Sequence, residues 1–158
     1  MTLAGNDYGC GKMKICIVSS CGGHLTEVRA LLPVYREHEH FYVINDQIIL
    51  PLDMKGKTYF IRHSERDFLF LVNLWEAWKI LRKERPSLIL STGAGPIVPF
   101  ALVAKPFSIP IIFIETSAQV TEPSLSGRIM YGLADRFIYQ WKYLERYFPK
   151  GIYGGLLI

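Results

Sequence analysis

The sequence predicts an α/β fold: a single Rossmann-like, doubly wound domain around a mostly parallel sheet. Three observations point there. Short apolar, β-branched runs alternate along the chain with segments of helical spacing. The runs at residues 14–19, 87–92 and 110–115 lack the polar/apolar alternation of half-exposed strands, which is the pattern of strands covered on both faces. Two of them end directly in glycine-bearing turns that precede helical patterns. With 158 residues, 50% of them hydrophobic and 13% aromatic, the chain has the apolar material for one such core.

The elements follow in order. Residues 1–12, MTLAGNDYGCGK, are polar and glycine-rich with no apolar signal-peptide core, so they are expected to be a flexible tail ahead of a lobe at 13–158. KICIVS at 14–19 is the first strand, and Leu25, Val28, Leu32 and Tyr35 then recur at helical spacing. HFYVIN at 40–45 and TYFIR at 58–62 read as strands joined by a loop holding Pro51 and Gly56. A long helix over about 65–83 stops before Pro86, because the residue preceding a proline disfavours helix. SLILST at 87–92, a Gly-Ala-Gly-Pro turn, an apolar helix over 97–104 and the strand PIIFIE at 110–115 come next. Ser124 is placed to cap a helix reaching about 133, RFIYQ at 136–140 makes a further strand, and the lobe ends on a strand at 153–158.

Composition narrows the function classes. Eighteen basic against 14 acidic residues leave a net charge of +4, which suits a phosphate-bearing or anionic-surface partner and is far below what a dedicated nucleic-acid binder carries. The three cysteines, Cys10, Cys16 and Cys21, match no zinc spacing, and His38, His40 and His63 have no matching carboxylates, so no metal site is expected. Cysteines of this kind fit a reducing, cytosolic setting. The apolar stretch 97–114 is long enough to span a membrane, but Pro99, Pro106 and Pro110 divide it and Lys105 lies inside it. A buried helix followed by a buried strand is the better reading.

In a doubly wound sheet, ligands bind beyond the carboxyl ends of the strands, and three candidate loops lie there. In the first, Ser20, Gly22 and Gly23 let backbone approach an oxygen-rich ligand, and the helix that follows offers free N–H groups to phosphate. The loop is neither a G-x-G-x-x-G fingerprint nor a Walker A loop, which disfavours dinucleotide and ATP binding. His24 is suited to take a proton from a hydroxyl or to bond a phosphate; equally, it suits a helix-start histidine beside a structural turn. Gly93 and Gly95 in the second loop either admit a ligand or let helix pack tightly on strand. Glu115 ends an apolar strand in the third loop. It is placed either to act as a base, hydroxyl anchor or cation orienter, or to cap a neighbouring helix or pair with Arg128.

The long helix has more apolar surface than one core-facing stripe requires. Phe68, Phe70, Leu71, Trp75 and Trp78, rimmed by Lys79 and Arg82, have the composition of an interfacial helix that contacts a membrane or a partner. The competing reading packs these aromatics wholly inside.

Three motifs in order, CGGH-x-x-E near the start, STGAGPIVP in the middle and IETSAQVTEPSLSGRIMYGLADRFIYQW after it, resemble the PssD/CpsF family of exopolysaccharide biosynthesis proteins. The chain is also similar to the eukaryotic membrane-anchor subunit of the dolichol-pathway N-acetylglucosaminyltransferase. More distantly, it resembles the amino-terminal lobe of MurG-type GT-B glycosyltransferases. The resemblance covers about residues 14–158 and implies a split enzyme. In it, this chain is the acceptor-side lobe and a separate donor-binding subunit holds most of the UDP-sugar, neither half working alone. The implied acceptor is a polyprenyl-diphosphate-linked saccharide at the cytosolic face of the membrane, with peripheral attachment, no tightly bound cofactor and no nucleic acid. Glu115 matches the family glutamate and Gly93 and Gly95 the glycine turn, while the Gly22-Gly23-His24 loop would lie near the diphosphate or the attacking hydroxyl. His24 is the first candidate for the base and Glu115 the second. The family pattern E-S-x-x-R is broken by Gln119, so no charge-pairing role carries over there. A two-lobed transferase needs roughly twice this length, so the other lobe is expected to be a second polypeptide. A non-catalytic membrane scaffold and a stand-alone nucleotide-binding protein are the competing functions.

Overall fold

A computed structural model describes residues 12–45, 51–61 and 69–158. Most of the expected tail, together with Cys10, His63, Phe68 and the expected start of the long helix, lies outside the described residues. Seven strands form one sheet: β1 (Lys14–Ser19), β2 (Glu39–Asn45), β3 (Thr58–Ile61), β4 (Leu88–Ser91), β5 (Ile111–Ile114), β6 (Arg136–Tyr139) and β7 (Ile152–Tyr153). Their order is β3-β2-β1-β4-β5-β6-β7, and every neighbouring pair is parallel. The described sheet is thus wholly parallel, with β1 in its interior, Ile17 lying between Tyr42 of β2 and Leu90 of β4.

The apolar runs behave as strands buried on both faces. Cys16 and Val18 of β1 enter one core layer with Phe41, Ile89 and Phe113, while Ile15 and Ile17 enter the other with Tyr42, Ile44 and Leu90. Helix α1 (Gly23–Ala30) covers the second layer through Leu25 and Val28. On the first layer lie α3 (Leu69–Glu84), α4 (Ile97–Ala104) and α5 (Leu125–Leu133), which contribute Ala77 and Leu81, Phe100 and Ala101, and Met130. Ser124 is the N-cap of α5, its hydroxyl accepting from the Gly127 amide at 2.8 Å.

Two expectations change. The single helix expected through Leu25–Tyr35 is broken: α1 ends at Ala30, and a separate turn of helix, α2 (Leu32–Tyr35), starts after Leu31. Pro33 near the start of α2 has no amide hydrogen to donate, and its ring would collide with the carbonyl one turn back in a continuous helix. The last strand is shorter than 153–158. It ends at Tyr153, because Gly154 only closes onto the Tyr139 carbonyl and Gly155 turns the chain away at φ +73°. Residues 97–114 form α4, a 3₁₀ turn at Lys105–Phe107 and β5, and no helix among the described residues is long and apolar enough to cross a membrane.

Candidate functional site

From β1 the chain winds outward through β2 to β3, and from β4 it winds the other way through β5 to β7. The loops leaving β1 and β4 therefore diverge at the centre of the sheet, which is where such folds leave a ligand crevice. Gly22 opens α1 at φ +88° with no side chain capping the helix, leaving the first amides of α1 without a side-chain acceptor. Opposite it, Gly93 and Ala94 both have positive φ, +118° and +77°. Ala94 is the strained member of that pair, since a β-carbon resists this conformation.

His24 joins the two loops. Its Nδ1 lies 3.0 Å from the Thr92 carbonyl oxygen, and the Thr92 hydroxyl donates back to the His24 carbonyl at 2.9 Å. A carbonyl only accepts, so in this pose Nδ1 carries the hydrogen, and in the neutral ring it is Nε2 that has the lone pair. The ring also lies directly on Gly93, where an added β-carbon would come within 2.9 Å of His24 Cε1. The glycine in this turn is thus accounted for by the histidine packed on it. His24 remains 27% exposed.

Behind His24, Glu27 of α1 is buried. Its Oε1 accepts from the Ser117 amide at 2.6 Å, the Thr116 hydroxyl at 3.2 Å and the Gln140 side-chain amide at 3.4 Å. The other oxygen, Oε2, has no hydrogen-bond partner and lies 3.8 Å from His24 Nδ1. Glu27 closes the motif CGGH-x-x-E, but spacing alone does not show it buried, since a glutamate one turn after a histidine usually faces solvent. Only the return of the chain at residues 116, 117 and 140 encloses it.

Glu115 is fully buried. Its Oε1 accepts from the Thr116 amide at 3.2 Å, and its Oε2 packs against the first turn of α5, where a side chain at Gly127 would overlap it. Burial pushes its carboxyl above the usual range and the nearby Glu27 adds to that, with hydrogen bonds from Ser124 and Thr116 opposing. Arg128 does not pair with it; its guanidinium stands over the Tyr147 ring at 5.9 Å. The structure therefore groups His24, Thr92, Gly93 and Glu27 beyond the carboxyl ends of β1 and β4, with Glu115 behind them through Thr116. Gly22 and Gly23 flank the crevice as exposed backbone, Ser20 is half-buried on the same loop, and Gly95 is exposed on the opposite one.

Helix α3 carries a different surface. Leu71 and Trp75 are 58% and 57% exposed, while Phe70 and Trp78 are half-buried. Trp75 and Trp78 stack with centroids 5.1 Å apart, Lys79 standing over the first ring and Arg82 over the second. Beside them a groove of about 680 Å³ runs between α3 and the edge strand β3, lined in part by Tyr59, Phe60, Trp78 and Arg82. None of its lining residues belongs to the group around His24.

The family model for the oligosaccharide biosynthesis protein Alg14 like matches residues 64–157. The chain belongs to the Alg14-like family. That match takes in Gly93, Gly95 and Glu115 and begins after His24 and Glu27. Over 181 aligned residues this Alg14-like chain is 26% identical to the human UDP-N-acetylglucosamine transferase subunit ALG14, covering 92% of this chain and 83% of the human one. It is 24% identical to the UDP-N-acetylglucosamine--N-acetylmuramyl-(pentapeptide) pyrophosphoryl-undecaprenol N-acetylglucosamine transferase of Staphylococcus carnosus, over 81% of this chain and 40% of that enzyme. Its fold is like that of Acinetobacter baumannii MurG, with a TM-score of 0.68 at 15% identity over 82% of this chain and 41% of MurG. The Alg14-like chain thus spans most of the human subunit but about two-fifths of either bacterial protein.

Proposed function

We propose that this chain is the acceptor-binding, membrane-associating subunit of a two-subunit glycosyltransferase. Family membership and the name of the human relative support transfer of N-acetylglucosamine from UDP-N-acetylglucosamine to a polyprenyl-diphosphate-linked saccharide. The motif resemblance to PssD/CpsF proteins extends the acceptor class to exopolysaccharide precursors. In this reading residues 13–158 are one GT-B lobe behind a tail at 1–12, and a separate donor-binding subunit supplies the second. The coverage of most of a human protein named a subunit, against two-fifths of a bacterial transferase, supports that division.

The observation that carries the chemistry is His24, held through Nδ1 by the Thr92 carbonyl, which leaves Nε2 of the neutral ring free to accept a proton. An acceptor hydroxyl gives its proton to Nε2 as its oxygen bonds to the anomeric carbon of the donor, and the bond from that carbon to UDP breaks, so UDP leaves with the bonding electrons. The backbone at Ser20, Gly22 and Gly23 and the positive end of α1, with Gly93 and Gly95 opposite, hold the acceptor diphosphate. Glu115 is the second candidate for the base, less favoured because it is buried against α5. Phe68, Phe70, Leu71, Trp75 and Trp78 enter the cytoplasmic membrane face with Lys79 and Arg82 at the headgroups, a peripheral attachment.

The test is sugar transfer by the co-expressed pair. His24→Ala is expected to lower kcat by about 10²–10⁴-fold, with the KM for UDP-N-acetylglucosamine little changed. Full activity in that variant would make the chain a scaffold. Tight binding of UDP-sugar by the isolated chain, measured by titration calorimetry, would make it a stand-alone nucleotide-binding protein.

A further inference from the structure

We infer that Glu27 is a positioning residue for His24, one that stabilises the charge His24 acquires when it takes a proton. The inference rests on the proposed role of His24 as base. Its ground is the asymmetry of the Glu27 carboxylate. Oε1 is surrounded by three donors from three separate places in the chain, the Thr116 hydroxyl, the Ser117 amide and the Gln140 side chain. Those bonds fix the carboxylate in place. Oε2 takes part in none of them and lies 3.8 Å from His24 Nδ1, inside the fold, with no other hydrogen-bond partner. An unpartnered carboxylate oxygen is costly to bury, so its placement beside an ionisable ring calls for an explanation.

The Nδ1 hydrogen is bonded to the Thr92 carbonyl, so Glu27 neither receives that hydrogen nor relays it. It contributes through its charge. When Nε2 takes a proton the ring becomes an imidazolium, and a fixed negative charge beside Nδ1 lowers the energy of that state while leaving the neutral ring nearly unaffected. The Thr92, Gly93, Ala94, Gly95 and Pro96 loop packed on the ring brings no titratable side chain. Cys21 precedes His24 on its own loop, and Glu115 lies beyond Thr116. Glu27 is therefore the carboxylate placed to balance the imidazolium.

Glu27→Gln tests this, because a glutamine keeps the volume and the acceptor that serves the three donors but removes the charge. In the complex of this chain with its donor-binding subunit, E27Q is expected to lower kcat by about 10- to 100-fold with both KM values within about twofold. The loss is expected to vanish in the His24→Ala background, where there is no imidazolium to stabilise, the non-additivity of groups that act as a unit. The inference is overturned if E27Q keeps wild-type kcat, if its loss persists in the His24→Ala background, or if E27Q does not fold, each of which assigns Glu27 to a structural clamp. Failure of the underlying reading looks different: His24→Ala would then retain full transfer whatever Glu27 does.

Discussion

Gly93 shows how much depends on a missing methyl group. A β-carbon there would press on His24 Cε1 at 2.9 Å, and the backbone at φ +118° is one that other residues resist. Gly93→Ala is expected to cost about 1–3 kcal/mol of stability and to displace the imidazole from the Thr92 carbonyl. Urea unfolding would read the first effect, and transfer activity lost in excess of the folded fraction the second. Glu115 has a consequence of opposite character, visible only with pH. Burial raises its folded-state pKa above the unfolded value near 4.5, so the folded chain holds a proton that the unfolded chain releases. Its contribution to stability is therefore greatest at low pH and declines as pH rises from about 4.5 through the folded-state value. Glu115→Gln carries no such proton, and urea midpoints across that range are expected to fall less steeply for the variant than for the wild type.

Helix α3 divides its labour between two faces, and that division can be tested with the core left alone. Ala77, Ile80 and Leu81 form its buried stripe, whereas Leu71 and Trp75 stand out into solvent. Replacing the latter two together by serine is expected to weaken partition onto vesicles containing anionic phospholipid by about tenfold or more, given about 25 cal/mol per Å² of apolar surface, with the thermal midpoint nearly unchanged. Co-sedimentation with vesicles measures this, and unchanged partition would move the contact to a protein partner. The surplus apolar surface of α3 was legible in its residues because helical periodicity places Ala77 and Leu81 on one side and leaves the extra aromatics over. The break between α1 and α2 was legible too, in Pro33, but four apolar residues at helical spacing argued for continuity, and local backbone chemistry prevailed. β7 was overextended because Gly154 and Gly155 interrupt an otherwise apolar ending.

Across the molecule, what could be read was whatever depends on near neighbours. The central strands announced themselves because burial on both faces leaves continuous apolar runs, and the glycine turns after β1 and β4 were recognisable as turns between strand and helix. The strand order was not readable, since it follows from pairings between distant segments. Nor was the arrangement at the crevice: His24 meets Thr92 across 68 positions and Glu27 meets Gln140 across 113. Such separations are invisible to periodicity and spacing, so the motif CGGH-x-x-E contained Glu27 without showing that the later strands enclose it.

The place of β1 between β2 and β4 also sets a schedule on the ribosome. The strand is synthesised before the other strands of the described sheet, and β2 and β3 can join one of its edges early. Its other edge waits for β4, since the Lys14 amide meets Ser87 only 73 positions later. Throughout that interval the nascent chain displays an apolar strand with an open side, which is the kind of surface that chaperones cover and that neighbouring chains can capture. His24 emerges early but is held in place only once Thr92 has been made, and Glu27 is fully enclosed only after Gln140. A translational pause ahead of β4 would therefore prolong the most vulnerable stage of this protein's life while adding nothing to the assembly of its crevice.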